Sequence, residues 1–345
     1  MDSLSQAVLG AAVAVGVMQR RTAIWKAAAF GAVAGTLPDL DVLLDHGDPV
    51  LNMVLHRAET HALLWLALFA LPLGWLVAQL AREGAQWRWW AAAMAMALLT
   101  HPLLDAFTVY GTQLLLPLTN TPYGVGSLFI VDPAYTLPLL LGVLAACAVG
   151  RRSGTLALRL NAWGLVLSTA YIGWSVAAQA HVTGLARETL AAQGLAADRV
   201  LVTPAPLNTL LWRVVVVDEG GNRYREGFYG FLDAPSTPAD RIRFDTYARG
   251  NELAAELAGL DPVRRIQAFS KGFWSMEERE GRVRITDLRM GQAPRHVFAF
   301  EVAERRGGVL QPLQPTVAVG GRGDTRAGLA WLWRRVQGEP LPPPR

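Results

Sequence analysis

Residues 62–81 run for about twenty positions without a charge (ALLWLALFALPLGWLVAQLA). At 1.5 Å per helical residue that length covers the hydrocarbon core of a bilayer, so the stretch is either a spanning helix or the core of an unusually apolar soluble bundle. Five more apolar segments favour the first reading: residues 4–18, 23–37, 89–104, 134–150 and 156–180. The first two are short and rich in small residues (GAAVAVG, GAVAG), which suits close helix packing. Arg159 and Asn161 mark an interfacial start for the last.

The charges between these segments set an orientation. Arg20, Arg21 and Lys26 follow the first segment, Arg82 and Arg88 the third, and Arg151, Arg152 and Arg159 the fifth. In the alternate connections, residues 38–61 carry Arg57 alone among basic residues, and residues 101–133 carry none. The positive-inside rule then places the basic connections in the cytoplasm and the others, with everything after residue 180, outside it. Trp87, Trp89 and Trp90 beside Arg88 read as an aromatic anchor at the cytoplasmic surface.

The non-cytoplasmic connections hold the chemistry. Residues 35–61 (GTLPDLDVLLDHGDPVLNMVLHRAETH) contain four aspartates and three histidines. Such side chains are costly beside hydrocarbon unless something pairs with them. Thr100-His101-Pro102-Leu103-Leu104-Asp105 adds a histidine and a carboxylate at i, i+4, on one helix face. PDLD alone reads as a turn with Asp caps, and HxxxD alone reads equally as a capping pair. Convergence of both sets on one side of a membrane points instead to a divalent metal centre. Asp45, His46 and Asp48 are left open as further members. Residues 117–133 (PLTNTPYGVGSLFIVDP) form a long loop or re-entrant segment, and Asp132 before Pro133 reads as a helix N-cap, with a place at the metal left open.

Composition changes near residue 181. Nine of the 32 basic residues precede that point and 23 follow it. The fold expected is an α-helical membrane domain of about six transmembrane or re-entrant helices (residues 1–181), then a small soluble α+β domain (182–338) and a disordered tail (339–345). In the second domain, residues 184–197 read as an amphipathic helix, and residues 210–217 and 223–231 as a β-hairpin across a Gly-rich turn. Further strands are expected at 241–246, 282–288, 296–303 and 316–319, with helices at 252–260, 262–269 and 326–336. The arginines there alternate with acids and lie outside the cytoplasm, which argues against nucleic-acid binding. The single Cys147 excludes a disulfide framework and a CxxC metal site.

MDSLSQAVLG, GTLPDLD, HRAETH before an apolar helix, and HPLLD together resemble the YdjM-type family of inner-membrane metal-dependent hydrolases, including its longer members with an added C-terminal domain. The HxxxD spacing and helical arrangement are also similar to the zinc-dependent phospholipase C and nuclease superfamily. The resemblance implies a multi-pass bacterial inner-membrane protein with one or two divalent ions, zinc foremost. It implies metal ligands at Asp39, Asp41, His56, His61, His101 and Asp105. Gln6 stands where many relatives have a histidine, which bears on any third metal.

The expected chemistry is hydrolysis of a phosphoester or other ester of an amphiphilic, lipid-like substrate. In that reading Asp41 serves catalysis and Arg57 neutralises developing phosphate charge; Arg57 reads equally as an interfacial anchor or a partner of Glu59. Membrane lipid is the expected partner, and oligomeric state is left open. The rival readings are a metal-stabilised membrane scaffold and an ion-coupled transporter.

Overall fold

The computed structural model describes residues 1–321 and 324–344. The chain divides into two compact units: Met1–Leu43 with His56–Val176 and Pro206–Asn208, and Leu44–Leu55 with Ala177–Ala205 and Thr209–Arg345. The main break falls between Val176 and Ala177, and the short excursion Leu44–Leu55 belongs to the second unit.

The first unit is built on helices α1 (Ser3–Met18), α2 (Ile24–Thr36), α4 (Leu63–Leu80), α5 (Trp87–Asp105), α6 (Pro133–Val149) and the first part of α7 (Gly154–Ala192); α3 (Pro49–Leu55) lies in the excursion. Small residues explain how α1 and α2 pack. A Cβ on Gly10 would lie 2.2 Å from the Gly31 carbonyl oxygen, so the two backbones touch where only hydrogen fits. The α4–α5 contact works the same way, since a Cβ on Gly74 would lie 2.2 Å from Ala91 Cα. Asn161 is buried and donates through Nδ2 to the Ala12 carbonyl at 2.8 Å, so it ties α7 to α1 and does not sit at an interface. Trp90 is likewise buried, edge-on to Phe30, whereas Trp87 and Trp89 are exposed.

Helices thus occupy all six expected apolar positions. Among the described residues α4 alone is both long and apolar enough to cross a bilayer; α6 is apolar but has 17 residues. The expected break before residue 184 is absent, and α7 runs on for 39 residues. Gly184 alone does not stop it, because glycine within a helix costs only about 1 kcal/mol relative to alanine.

The second unit holds two four-stranded antiparallel sheets. The first has the order β1 (Ala197–Pro204), β2 (Leu211–Asp218), β3 (Arg223–Gly230), β4 (Phe244–Ala248). The second has the order β10 (Val309–Ala318), β9 (Ala299–Arg306), β6 (Arg282–Asp287), β5 (Trp274–Arg279), with a small β7 (Gly291–Gln292) and β8 (Arg295–His296) hairpin beside them. Helices α8 (Asn251–Glu256), α9 (Asp261–Phe269) and α10 (Thr325–Val336) complete the unit.

β2 explains its own apolar run, because both its faces are covered. Trp212, Val214 and Val216 pack with Ala178, Val182, Ala186 and Leu190 of α7, and Val215 and Val217 pack with Phe273 and Leu288. The expected helix over 184–197 gives way to the end of α7 and the start of β1, and β5 has no counterpart among the expected strands. The tail expected to be disordered is ordered at Leu341, which joins the Leu211 and Trp331 cluster and accepts a hydrogen bond from Trp331 Nε1 at 3.2 Å.

Candidate metal centre

Three connections of the first unit bring the polar residues together. α2 ends at Thr36 and the chain turns through a 3₁₀ segment, Pro38–Leu43, which carries Asp39 and Asp41. A second 3₁₀ turn, Glu59–His61, ends immediately before α4. The third is the last turn of α5, where i, i+4 spacing aligns His101 with Asp105.

Asp39, His61, His101 and Asp105 each turn one donor atom inward, and these four atoms lie within 4.8 Å of one another. Asp39 Oδ1 is 3.5 Å from His61 Nε2 and 3.4 Å from His101 Nε2. Asp105 Oδ2 is 3.4 Å from His61 Nε2 and 3.5 Å from His101 Nε2, and the two Nε2 atoms are 3.2 Å apart. Tetrahedral ligands at zinc-like bonds of about 2.0–2.1 Å stand about 3.3–3.4 Å from one another, because a tetrahedron's edge is about 1.63 times its centre-to-vertex distance. Five of the six spacings therefore match such a site.

The hydrogen bonds outside the cluster decide what faces in. His101 Nδ1 lies 2.6 Å from the Gly35 carbonyl oxygen, which only accepts, so the ring proton is assigned to Nδ1 and Nε2 carries a lone pair. Thr60 Oγ1 donates to Asp41 Oδ2 at 2.8 Å and accepts from His61 Nδ1 at 2.9 Å, which leaves His61 Nε2 unprotonated as well. Asp105 Oδ1 accepts from Gln6 Nε2 at 3.0 Å and from the Met1 amino group, while Oδ2 is buried without a hydrogen-bond partner. Four acceptors thus converge with no donor among them. That arrangement fits a cation, and the outer hydrogen bonds orient His61, His101 and Asp105 toward it.

Asp41 and His56 stand one layer out. Asp41 Oδ1 is 2.8 Å from His56 Nδ1, and Oδ2 accepts from the Arg57 amide at 3.0 Å besides Thr60. Arg57 is buried with φ of 64°, its Nε 3.2 Å from Asp105 Oδ2, its Nη1 donating to Thr108 Oγ1 at 3.2 Å and its guanidinium 5.0 Å from the Tyr110 ring. It balances the carboxylates without capping Oδ2. Burial pushes the Asp41 carboxyl upward, but the bonds with His56 and the Arg57 amide outweigh it and hold Asp41 below the usual carboxylate range.

The other residues left open at the sequence level lie elsewhere. Asp132 caps α6 and accepts from Tyr171 at 3.0 Å. Asp45 accepts from Gly47 and Asn52, His46 is exposed, and Asp48 caps α3 while accepting from Thr316. Sequence reasoning missed Thr60, although it lies inside HRAETH, and weighed Gln6 only as a departure from a histidine. A hydroxyl between an aspartate and a ligand histidine is a signal that spacing alone does not expose.

The fold and its centre define a helical N-terminal region followed by a sheet-rich unit, with a largely buried two-histidine, two-aspartate candidate metal-binding group in the helical part. The chain belongs to the YdjM inner membrane protein family, whose model matches residues 1–182. No curated protein and no solved structure matches the chain.

Proposed function

We propose that this chain is a membrane-bound, metal-dependent hydrolase, acting on a phosphoester or other ester of an amphiphilic substrate at the outer membrane–water interface. The observation that carries the reading is the four-acceptor cluster, in which Asp105 Oδ2 accepts no hydrogen bond. Asp39, His61, His101 and Asp105 would hold one divalent ion, with zinc favoured by the nitrogen and oxygen donors and their spacing. At such a site a divalent ion supplies Lewis acidity toward a phosphoryl or carbonyl oxygen and acidifies water.

The protein's own groups do the rest. Asp41 orients His56 through Nδ1, which leaves Nε2 of that half-buried ring to accept a proton. Arg57 sets a fixed positive charge beside the centre, where it stabilises negative charge developing on the reacting group. The topology that suits this role has six spans and an extracytoplasmic C-terminal domain, as the basic residues of alternate connections favour.

One observation favours a second reading. Four protein donors would fill the shell of a four-coordinate ion, and His61, His101 and Asp105 are fully buried, as in structural sites, whereas catalytic zinc keeps an open position. Metal analysis of detergent-purified protein with a screen of phosphodiesters and phospholipids separates the two. Hydrolysis lost with the metal in His101→Ala supports the enzyme. A wild type inactive across the screen, with metal loss accompanied by unfolding, supports the scaffold.

A further inference from the structure

The turn that carries Asp39 and Asp41 has a second face. Leu40, Val42 and Leu43 are 55, 71 and 77 % exposed, three branched aliphatic side chains on one six-residue turn. Scattered exposed leucines are ordinary, but a contiguous set beside a polar centre calls for an apolar neighbour.

The position of the centre identifies that neighbour. His61 is followed by Ala62 and then by α4, the helix able to cross a bilayer, whose Trp65, Leu68, Phe69 and Trp75 are about half exposed. The metal-ligand group therefore lies at the end of a span, at the depth where hydrocarbon gives way to head groups. Asp39 Oδ1 is 3.5 Å from His61 Nε2, so the turn bearing it lies at that depth as well. The exposed apolar residues of the turn thus stand near one end of a helix that exposes apolar residues of its own, in a chain whose family is of inner membrane proteins.

We propose that Pro38–Leu43 is a membrane-inserted lip: Leu40, Val42 and Leu43 are immersed in the acyl chains of one leaflet, while Asp39 and Asp41 face the protein. The occupant of this face is bilayer lipid. An amphiphile would then meet the ligand group from the lipid phase. The inference rests on the family and the site's position, and stands whether or not the centre hydrolyses anything.

Site-directed spin labelling in lipid nanodiscs tests it. On a Cys147→Ser background, Val42→Cys and Leu43→Cys are labelled with a nitroxide, with His46→Cys in the following exposed polar segment as the reference. The expected result is collision with oxygen exceeding collision with a water-soluble nickel chelate at 42 and 43, and the reverse at 46. Nickel-dominated collision at 42 and 43 overturns the proposal, and protection from both colliders overturns it too, because it would mean that protein covers the turn. If the labelled variants do not fold, the quenching by brominated lipids that Leu43→Trp adds to that of the wild type, whose twelve tryptophans set the baseline, asks the same question. Strong added quenching supports insertion, and its absence overturns it.

Discussion

The spacing of the four donors predicts both the shape and the strength of the centre. The five close separations run from 3.2 to 3.5 Å. Dividing these by the tetrahedral ratio of about 1.63 gives bonds of about 2.0–2.1 Å, the range for nitrogen and oxygen at zinc, provided that the sixth pair, Asp39 and Asp105, closes from its 4.8 Å limit when the ion binds. Protein stripped with a chelator and reloaded with zinc should therefore show a single nitrogen and oxygen shell at about 2.0–2.1 Å by X-ray absorption, with four ligands, about half of them imidazole. Cobalt in the same place should give the intense visible bands of tetrahedral coordination. His101→Ala removes one ligand and leaves three acceptors facing one another, so affinity should fall by more than about 100-fold, since losing an outer-shell partner alone costs about 10- to 100-fold. Competition with a chromophoric chelator measures the change. A six-coordinate shell, or unchanged affinity in His101→Ala, would refute the argument that these four residues form the site.

Other outcomes follow from particular contacts. Thr60→Val removes the hydroxyl shared by Asp41 and His61, and should weaken metal binding about 10- to 100-fold without abolishing it. Alkaline phosphatase fused after Val200 should be active in cells, and a silent fusion there would overturn the orientation. Gly10→Ala must push α1 from α2, because the new Cβ would sit 2.2 Å from the Gly31 oxygen, and a loss of about 1–3 kcal/mol should appear as a lower melting temperature. In the second unit burial and Arg213 hold His296 down at about 4, against an ordinary 6.5. The folded state thus keeps this ring neutral where the unfolded chain protonates it, so stability is full above pH 6.5 and falls as the pH drops toward 4. The loss on going from pH 7 to pH 5 is about 2 kcal/mol from this ring, and urea titrations of His296→Gln should show a correspondingly flatter dependence.

Local pattern carried much of this architecture. Apolar segments located six helices because a helix lining other helices or lipid needs a sustained run of such residues. The turn at Asp218–Asn222 was readable from its glycines, which take φ of 79° and 69° at positions 220 and 221. Residue type and spacing pointed to the stretch 35–61 and to the His101–Asp105 pair, and the resemblance to the YdjM-type family singled out Asp39 and His61 within that stretch. Which of the six nominated residues share one centre could not be read, because Asp41 and His56 differ from the others only in where their hydrogen bonds go. β1 and β5 escaped notice because their polar, charged sequences (ADRVLVTP, WSMEER) take their strand conformation from pairing with β2 and β6. Asn161 misled because a buried amide that reaches a neighbouring carbonyl looks, in sequence, like one that meets water.

The excursion Leu44–Leu55 bears on how the gene can be cut. Asp48 accepts from the Thr316 amide at 2.8 Å and from its hydroxyl at 3.1 Å, and Val50 and Met53 of α3 are buried. This piece, threaded between the segments that bear Asp39 and His61, folds with strands some 260 residues later, since Asp48 and Thr316 stand 268 positions apart. Trimming the chain at residue 182, where the family match stops, would leave α3 without its packing partners and sever α7 amid the residues that cover β2. The C-terminal unit is therefore no detachable appendage: a shortened gene would have to redesign the 44–55 segment too, and that segment is where the two parts would have to change together over evolution.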